Sequence, residues 1–227
     1  MSDITALYYS HNEPPARIGD YCRQSINAAL DGLPIVAVVD PDRVGLVSDQ
    51  FVNAVAIGLA PGVTGHNDLT RRILCGLDFV DSEYVALCEH DVIYPAGYFA
   101  GALDVALAVS DRWIYCGAAV HLTRSMGWRA HAEYPRSRLL SCLTARRDDL
   151  FDFFTERAEA IVRGERVRVA EPGRPSCAIW SSSQPVIDIR HGGNLTGDRE
   201  GRAIDRPGLR PLQAIELWRA LDRAGAA

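Results

Sequence analysis

Tyr84-Val85-Ala86-Leu87-Cys88-Glu89-His90-Asp91 is the stretch on which the reading of this chain turns. Five apolar residues in a row, bounded by polar sequence, are the length of a strand buried on both faces, as in a parallel sheet. Such a strand seldom ends in Glu-His-Asp unless those side chains find strong partners. Residues two apart on a strand point the same way, so Glu89 and Asp91 are expected to project together. Hard cations such as Mn²⁺ or Mg²⁺ take oxygen ligands, often one or two carboxylates plus the phosphates of a substrate, and this pair suits that role. The plainer alternative is a solvated turn after a strand.

Upstream, Ile4 to Tyr9 has the pattern of a buried strand, and Pro14-Pro15 opens a segment whose Ile18, Tyr21, Cys22, Ile26 and Ala29 share a helical face. Ile35 to Val39 is a β-branched run ending in Asp40-Pro41-Asp42, a strand whose end emerges at a polar loop. Asn67 or Asp68 can cap a helix that turns Leu69, Ile73, Leu74 and Leu77 inward and Arg71 and Arg72 elsewhere. Downstream, Phe99, Leu103, Ala106 and Leu107 suggest a helix after Pro95, and Trp113 to Val120 a single strand apolar on both faces. The order βαβαβαβ predicts an α/β fold with a mostly parallel central sheet flanked by helices and ligand groups at the C-terminal strand edges. Residues 121–146 are irregular and arginine-rich, an amphipathic helix is expected from Leu150 to Ile161, and a short strand from Val186 to Ile189. A last helix is expected near Leu212 to Leu221.

With 227 residues, 48% of them hydrophobic, the chain can bury one sizeable core, and a single domain over 1–227 is expected. A formal net charge of -5 argues against a surface built throughout for polyanions. The six cysteines form no C-x-x-C pair, and several sit in apolar runs where a reduced thiol packs as a small hydrophobe, which suits a cytoplasmic protein. No export signal and no apolar stretch of membrane-spanning length is expected, so no membrane partner is either. The absence of a P-loop, G-x-G-x-x-G, G-x-S-x-G or H-E-x-x-H pattern removes the usual sequence support for P-loop ATPases, Rossmann dehydrogenases, serine hydrolases and zincins.

Three further clusters carry chemistry. In Asp188-Ile189-Arg190-His191-Gly192-Gly193-Asn194 a short strand runs into two glycines that let the backbone approach a ligand, and a neutral His191 can add a metal ligand or merely satisfy a loop carbonyl. The loop Tyr8-Tyr9-Ser10-His11-Asn12-Glu13 lies at the C-terminal edge of the first strand, where a doubly wound fold puts its ligand, although Asn12 can also simply cap a helix. Arg71 and Arg72 can reach a phosphate with a planar fork or stay solvated. The arginines at 124, 129, 136, 138, 146 and 147, interleaved with Trp128 and Tyr134, can track a polyanion such as DNA or form an ordinary charged face.

Together these residues resemble family 2-like glycosyltransferases of the GT-A fold. The resemblance rests on Tyr8-Tyr9-Ser10-His11-Asn12-Glu13 followed by Gln24-Ser25-Ile26, on Val38-Val39-Asp40-Pro41-Asp42, on Glu89-His90-Asp91 in place of Asp-x-Asp, and on Ser141 to Arg147. The Glu-His-Asp-Val and Asp-Ile-Arg-His-Gly-Gly-Asn motifs resemble a compact phage and bacterial subgroup, some of whose members glycosylate hydroxymethylated pyrimidines in DNA. The resemblance implies a metal-dependent, inverting hexosyltransferase that uses a nucleoside-diphosphate sugar, a UDP-sugar such as UDP-glucose, and a hydroxyl acceptor, with modified phage DNA as one acceptor. It implies Glu89, Asp91 and His191 on Mn²⁺ or Mg²⁺, and Tyr8, His11, Asn12, Glu13, Asp40, Arg71, Arg72 and His90 around the donor. Trp128, Arg136, Arg138 and Asn194 would face the acceptor. Residues 1–120 would form the nucleotide-sugar half and 121–227 the acceptor half. Glu171 is the first candidate for catalytic base, followed by Asp188 and Asp149. A sugar-nucleotide pyrophosphorylase and a non-catalytic nucleotide-sugar binding module are the competing readings.

Overall fold

Residues 3–10, 16–61, 66–123, 127–130, 136, 138–165, 171–173 and 176–190 are described by the computed structural model. Strand β1 (Ile4–Tyr9) is buried at every position, as a central strand covered on both faces must be. Helix α1 (Ala16–Leu30) closes through Asp31 and Gly32, both left-handed at φ 48° and 85°, into β2 (Ile35–Val39). A 3-10 turn at Pro41–Arg43 leads to α2 (Val44–Gln50), and β3 (Ala54–Gly58), α3 (His66–Leu77) and β4 (Tyr84–Glu89) follow. The chain continues through β5 (Val92–Ile93), α4 (Tyr98–Ala108), β6 (Trp113–Cys116), β7 (Ala119–Thr123) and β8 (Gly127–Ala130). After a 3-10 turn at Leu140–Cys142 come β9 (Leu143–Arg146), α5 (Arg147–Val162), β10 (Ala178–Trp180) and β11 (Val186–Arg190).

The main sheet has seven strands in the order β10-β6-β9-β4-β1-β2-β3. All run parallel except β9, which is antiparallel to both β4 and β6. The expected mostly parallel α/β sheet is therefore present. One apolar layer packs Ile26, Leu30, Phe99 and Ala106 of α1 and α4 against Ala6, Tyr8, Ala37 and Ala86. The other packs Leu69, Ile73, Leu150 and Phe154 of α3 and α5 against Leu7, Val36, Val38 and Leu87. Helix α3 approaches β1 and β2 so closely that a Cβ at Gly76 would sit 2.3 Å from Leu7 Cδ1, which is why a residue without a side chain stands there. No helix among the described residues is long and apolar enough to cross a membrane.

Several expectations change. Trp113 to Val120 is two strands, because the chain leaves the main sheet at Gly117-Ala118, where Gly117 N donates to Trp180 O and Val186 N to Ala118 O. Strand β7 then joins a second sheet, β5-β11-β7-β8. The pair α2 and β3 has no counterpart in the expected order: Asn53 adopts a left-handed φ of 60° and turns the chain into β3. The helix expected from Leu150 begins at Arg147. The terminal helix expected near 212–221 lies outside the described residues.

Candidate functional site

Strand order reverses beside β1, with β2 and β3 on one side of it and β4 on the other. In open α/β sheets the crevice beyond the C-terminal strand ends at such a reversal is where ligands bind. The parallel register of β1 and β4 closes there on the pair Tyr9 and Glu89. The Tyr9 hydroxyl donates to Glu89 Oε1 at 2.6 Å. Burial, and then the Glu89 charge, push the Tyr9 phenol well above its ordinary range, so it remains a proton donor. The Asp91 charge adds a smaller push in the same direction.

The acidic residues do not simply continue the strand. β4 ends at Glu89 and the chain turns at His90-Asp91, so the two-residue period behind the expected common direction stops there. Glu89 is half-buried against Tyr9, whereas His90 and Asp91 are buried. The turn is held from two sides. Glu89 N donates to the Tyr94 hydroxyl at 3.3 Å, and that hydroxyl donates to Ser141 O at 2.8 Å. From the second sheet, Ile189 N donates to Asp91 O at 2.8 Å.

That last bond joins the two motifs that lie about a hundred positions apart in sequence. β11 pairs Ile187 with Ile93 and Asp188 with Val92, and so draws Asp188 to the acidic turn. Asp188 is buried, and its charge and that of Asp91 both help to raise the Cys22 thiol, after burial itself. His191, the expected third metal ligand, lies outside the described residues, as do His11, Asn12, Glu13 and Asn194.

On the β2 side, Asp40 follows the last strand residue and accepts from Arg72 Nη2. Arg72 also donates through Nε to Asp68 Oδ2 at 2.7 Å, and its side chain is 1% exposed. The expectation that Arg71 and Arg72 both face away with open forks is corrected for Arg72, which braces Asp40 from inside. Arg71 is the exposed member, 3.4 Å from Asp68 Oδ1. Arg72 Nη1 and Ser10 Oγ are buried without a hydrogen-bond partner. Such atoms call for an explanation, and a polar ligand at this edge supplies one.

Other candidates fall elsewhere. Tyr8 points to the opposite face from Tyr9 and packs edge-on against Phe51 at 5.3 Å, within the apolar layer under α1 and α4. Because β9 is antiparallel, its end and the start of α5 lie at the N-terminal edge of the sheet, where Arg146 pairs with Tyr84. That edge is the full length of β4 from Glu89, roughly 17 Å at about 3.3 Å per residue. Asp149 is there, bonded by Arg112 Nε at 2.7 Å, which removes it as a base acting beside Glu89. Arg146 pairs with Glu83 and Arg147 with Asp148, so neither belongs to an acceptor strip near the acidic turn. A concavity of about 560 Å³ at this edge is walled by these paired charges and contains none of the acidic turn.

Glu171 lies in no described strand. Its charge favours the cation of Arg157, whose pKa burial lowers and whose Nε donates to Thr70 Oγ1 at 3.0 Å. Arg136 is exposed, and Arg138 Nε meets Cys177 Sγ at 3.2 Å. Trp128 is on β8, opposite Leu122. Sequence reasoning places Tyr9 and Ser10 in the loop after the first strand but assigns no role to them or to Tyr94. Only the β1–β4 register, which no local pattern encodes, sets Tyr9 across from Glu89.

Solved structures share this architecture. Residues 1–349 of TarS from S. aureus, in complex with UDP-GlcNAc, align with a TM-score of 0.54 at 10% identity over 88% of this chain and 62% of that one. The sheet order and this match decide the fold. It is a GT-A-type fold. A complex of the same TarS fragment with UDP gives a TM-score of 0.51 at 10% identity, over 83% of this chain and 61% of that one. The 4-diphosphocytidyl-2C-methyl-D-erythritol synthase of Anaerococcus prevotii gives 0.53 at 9% identity over 96% of both chains. The GT-A-type chain thus spans under two thirds of the TarS fragment and nearly the whole of the synthase. No protein-family model and no curated protein matches it.

Proposed function

We propose that this chain is a metal-dependent glycosyltransferase that moves a sugar from a nucleoside-diphosphate sugar, a UDP-sugar, to a hydroxyl. The observation that carries the reading is the acidic turn at the strand reversal of a GT-A-type sheet, where Glu89 Oε1 accepts from the buried Tyr9 hydroxyl and Asp91 O accepts from Ile189 N. Two carboxylates are hard oxygen donors, and with substrate phosphates they fit Mn²⁺ or Mg²⁺. The described residues contain no group of three or more His, Cys, Asp or Glu able to hold a metal alone, so His191 and the donor's phosphates would complete the set. The cation, when bound, supplies neutralisation of charge on the departing diphosphate.

This chain's own residues do the rest. Arg72 holds Asp40 at the end of β2 to meet the nucleotide base, and Ser10 Oγ and Arg72 Nη1 offer polar capacity beside it. The acceptor oxygen attacks the anomeric carbon as the bond to the diphosphate oxygen breaks. The nucleoside diphosphate leaves with that electron pair, and the acceptor's proton passes to a carboxylate. Asp188, drawn to Asp91 by β11, is better placed for this than Glu171, whose charge acts on Arg157, or Asp149 at the far edge.

Incubation with UDP-sugars tests the reading: release of UDP that needs Mn²⁺ supports it, and no release from any sugar nucleotide overturns it. The 96% mutual coverage with the synthase favours a nucleotidyltransferase as second reading. Pyrophosphate released from a nucleoside triphosphate and a sugar phosphate would identify that activity. A DNA acceptor would now rest on the segment 124–138 without Arg146 and Arg147. Transfer to hydroxymethylated DNA should then weaken steeply with salt, because each phosphate contact releases counterions.

A further inference from the structure

Tyr9 is fully buried in the α3–α5 layer, yet its hydroxyl ends on a half-buried carboxylate that the proposed function places on a cation. A tyrosine buried this deeply has two things to contribute, apolar area and one directed O–H. Phenylalanine would supply the first alone. The backbone of Glu89 is already fixed, by its pairing with β1 and by its N–H to Tyr94. Tyr94 is itself locked, accepting no freedom from its neighbours: its N–H meets Ser25 Oγ at 3.3 Å, and its ring packs on Tyr98 and Phe99 at 5.0 and 5.4 Å. With the main chain set, what remains to be fixed is the rotation of the carboxylate. The Tyr9 hydroxyl fixes it by engaging Oε1 at 2.6 Å, the length of a charge-assisted O–H···O⁻ bond.

We infer that Tyr9 is a positioning residue for the cation site: by engaging Glu89 Oε1 it holds the Glu89 carboxylate in the orientation in which it would meet the ion. The inference rests on the metal reading above. Partners that orient a ligand in this way typically cost about 10- to 100-fold in metal affinity when removed. Tyr9→Phe keeps the ring and deletes only the hydroxyl. Glu89→Asp keeps a carboxylate but withdraws it from the hydroxyl by one methylene.

The test is a Mn²⁺ titration of the full chain at one fixed concentration of UDP, followed by the electron paramagnetic resonance signal of free Mn²⁺ against a UDP-only control, with thermal midpoints measured with and without the ion. Tyr9→Phe and Glu89→Asp should each weaken Mn²⁺ binding by about 10-fold or more. Tyr9→Phe added to Glu89→Gln should cost nothing further, because the group it orients is already gone. Mn²⁺ should raise the midpoint of the wild-type chain more than that of Tyr9→Phe. If the wild-type chain and Glu89→Gln bind Mn²⁺ alike, or neither binds it, the metal reading falls and this inference with it. If Glu89→Gln loses binding while Tyr9→Phe retains it, only the role of Tyr9 is overturned. A fall in midpoint for Tyr9→Phe that is equal with and without Mn²⁺ makes the hydroxyl a folding contact and overturns the inference likewise.

Discussion

Arg72 and Asp40 come from a helix and a strand end 32 positions apart, and the buried guanidinium of the first holds the exposed-edge carboxylate of the second. The same fork takes Asp68 one helical turn back, so a single cation serves two acids. Arg72→Met removes the cation and leaves Asp68 buried without it. Breaking a buried pair this way costs about 3–5 kcal/mol, so the urea midpoint should fall sharply. A midpoint within experimental error of the wild-type value would show that the bridge does not hold α3 to β2.

Gly76→Ala sets two effects against each other. Alanine improves helix propensity by about 1 kcal/mol. Its Cβ would, however, lie 2.3 Å from Leu7 Cδ1 and 3.0 Å from Val38 Cγ2, and forcing a core apart costs about 1–3 kcal/mol. The clash is with two sheet residues at once, so net destabilisation is expected in chemical denaturation. A more stable variant would contradict the packing described for α3.

Asp91→Asn and Asp149→Asn form a contrasting pair. Asp91 stands at the ligand edge beside the bond from Ile189, whereas Asp149 is bonded to Arg112 at the other edge. Mn²⁺-dependent release of UDP from a sugar nucleotide should disappear with Asp91→Asn and persist, within about twofold, with Asp149→Asn, since an exposed ion pair contributes little. Equal loss in both variants would reject the placement of the site.

Stability should decline in alkali. Burial raises the thiols of Cys22, Cys88 and Cys142 and the phenols of Tyr9, Tyr94 and Tyr98 above their ordinary values of 9.0 and 10.0. The unfolded chain then releases protons that the folded chain keeps, so the stability these groups contribute is full below about pH 9 and is lost as pH rises beyond it. Urea midpoints should be level from pH 7 to about pH 8.5 and fall by pH 10. A flat profile through pH 10 would mean these side chains are not buried as described.

The α/β class, the parallel strands and the acidic end of β4 were legible because each is a local pattern. An apolar run of strand length, a helical face such as Ile18, Cys22, Ile26 and Ala29, and a Glu-His-Asp terminus all lie within a few residues of themselves. Where the pattern was weak, the reading missed: β3 is half-exposed at the sheet edge, and the Gly117-Ala118 break between β6 and β7 is set by contacts to Trp180 and Val186. Register and strand direction are not local quantities. The antiparallel insertion of β9 sends Asp149 and Arg147 to the far edge, the β1–β4 register gives Tyr9 to Glu89, and β11 brings Asp188 to the acidic turn. Residue types and their periodicity thus determined which elements exist. Which side chains meet was decided only in the tertiary structure, because hydrogen-bond pairing between distant strands and burial of α3 on the sheet choose among arrangements that the local patterns leave equivalent.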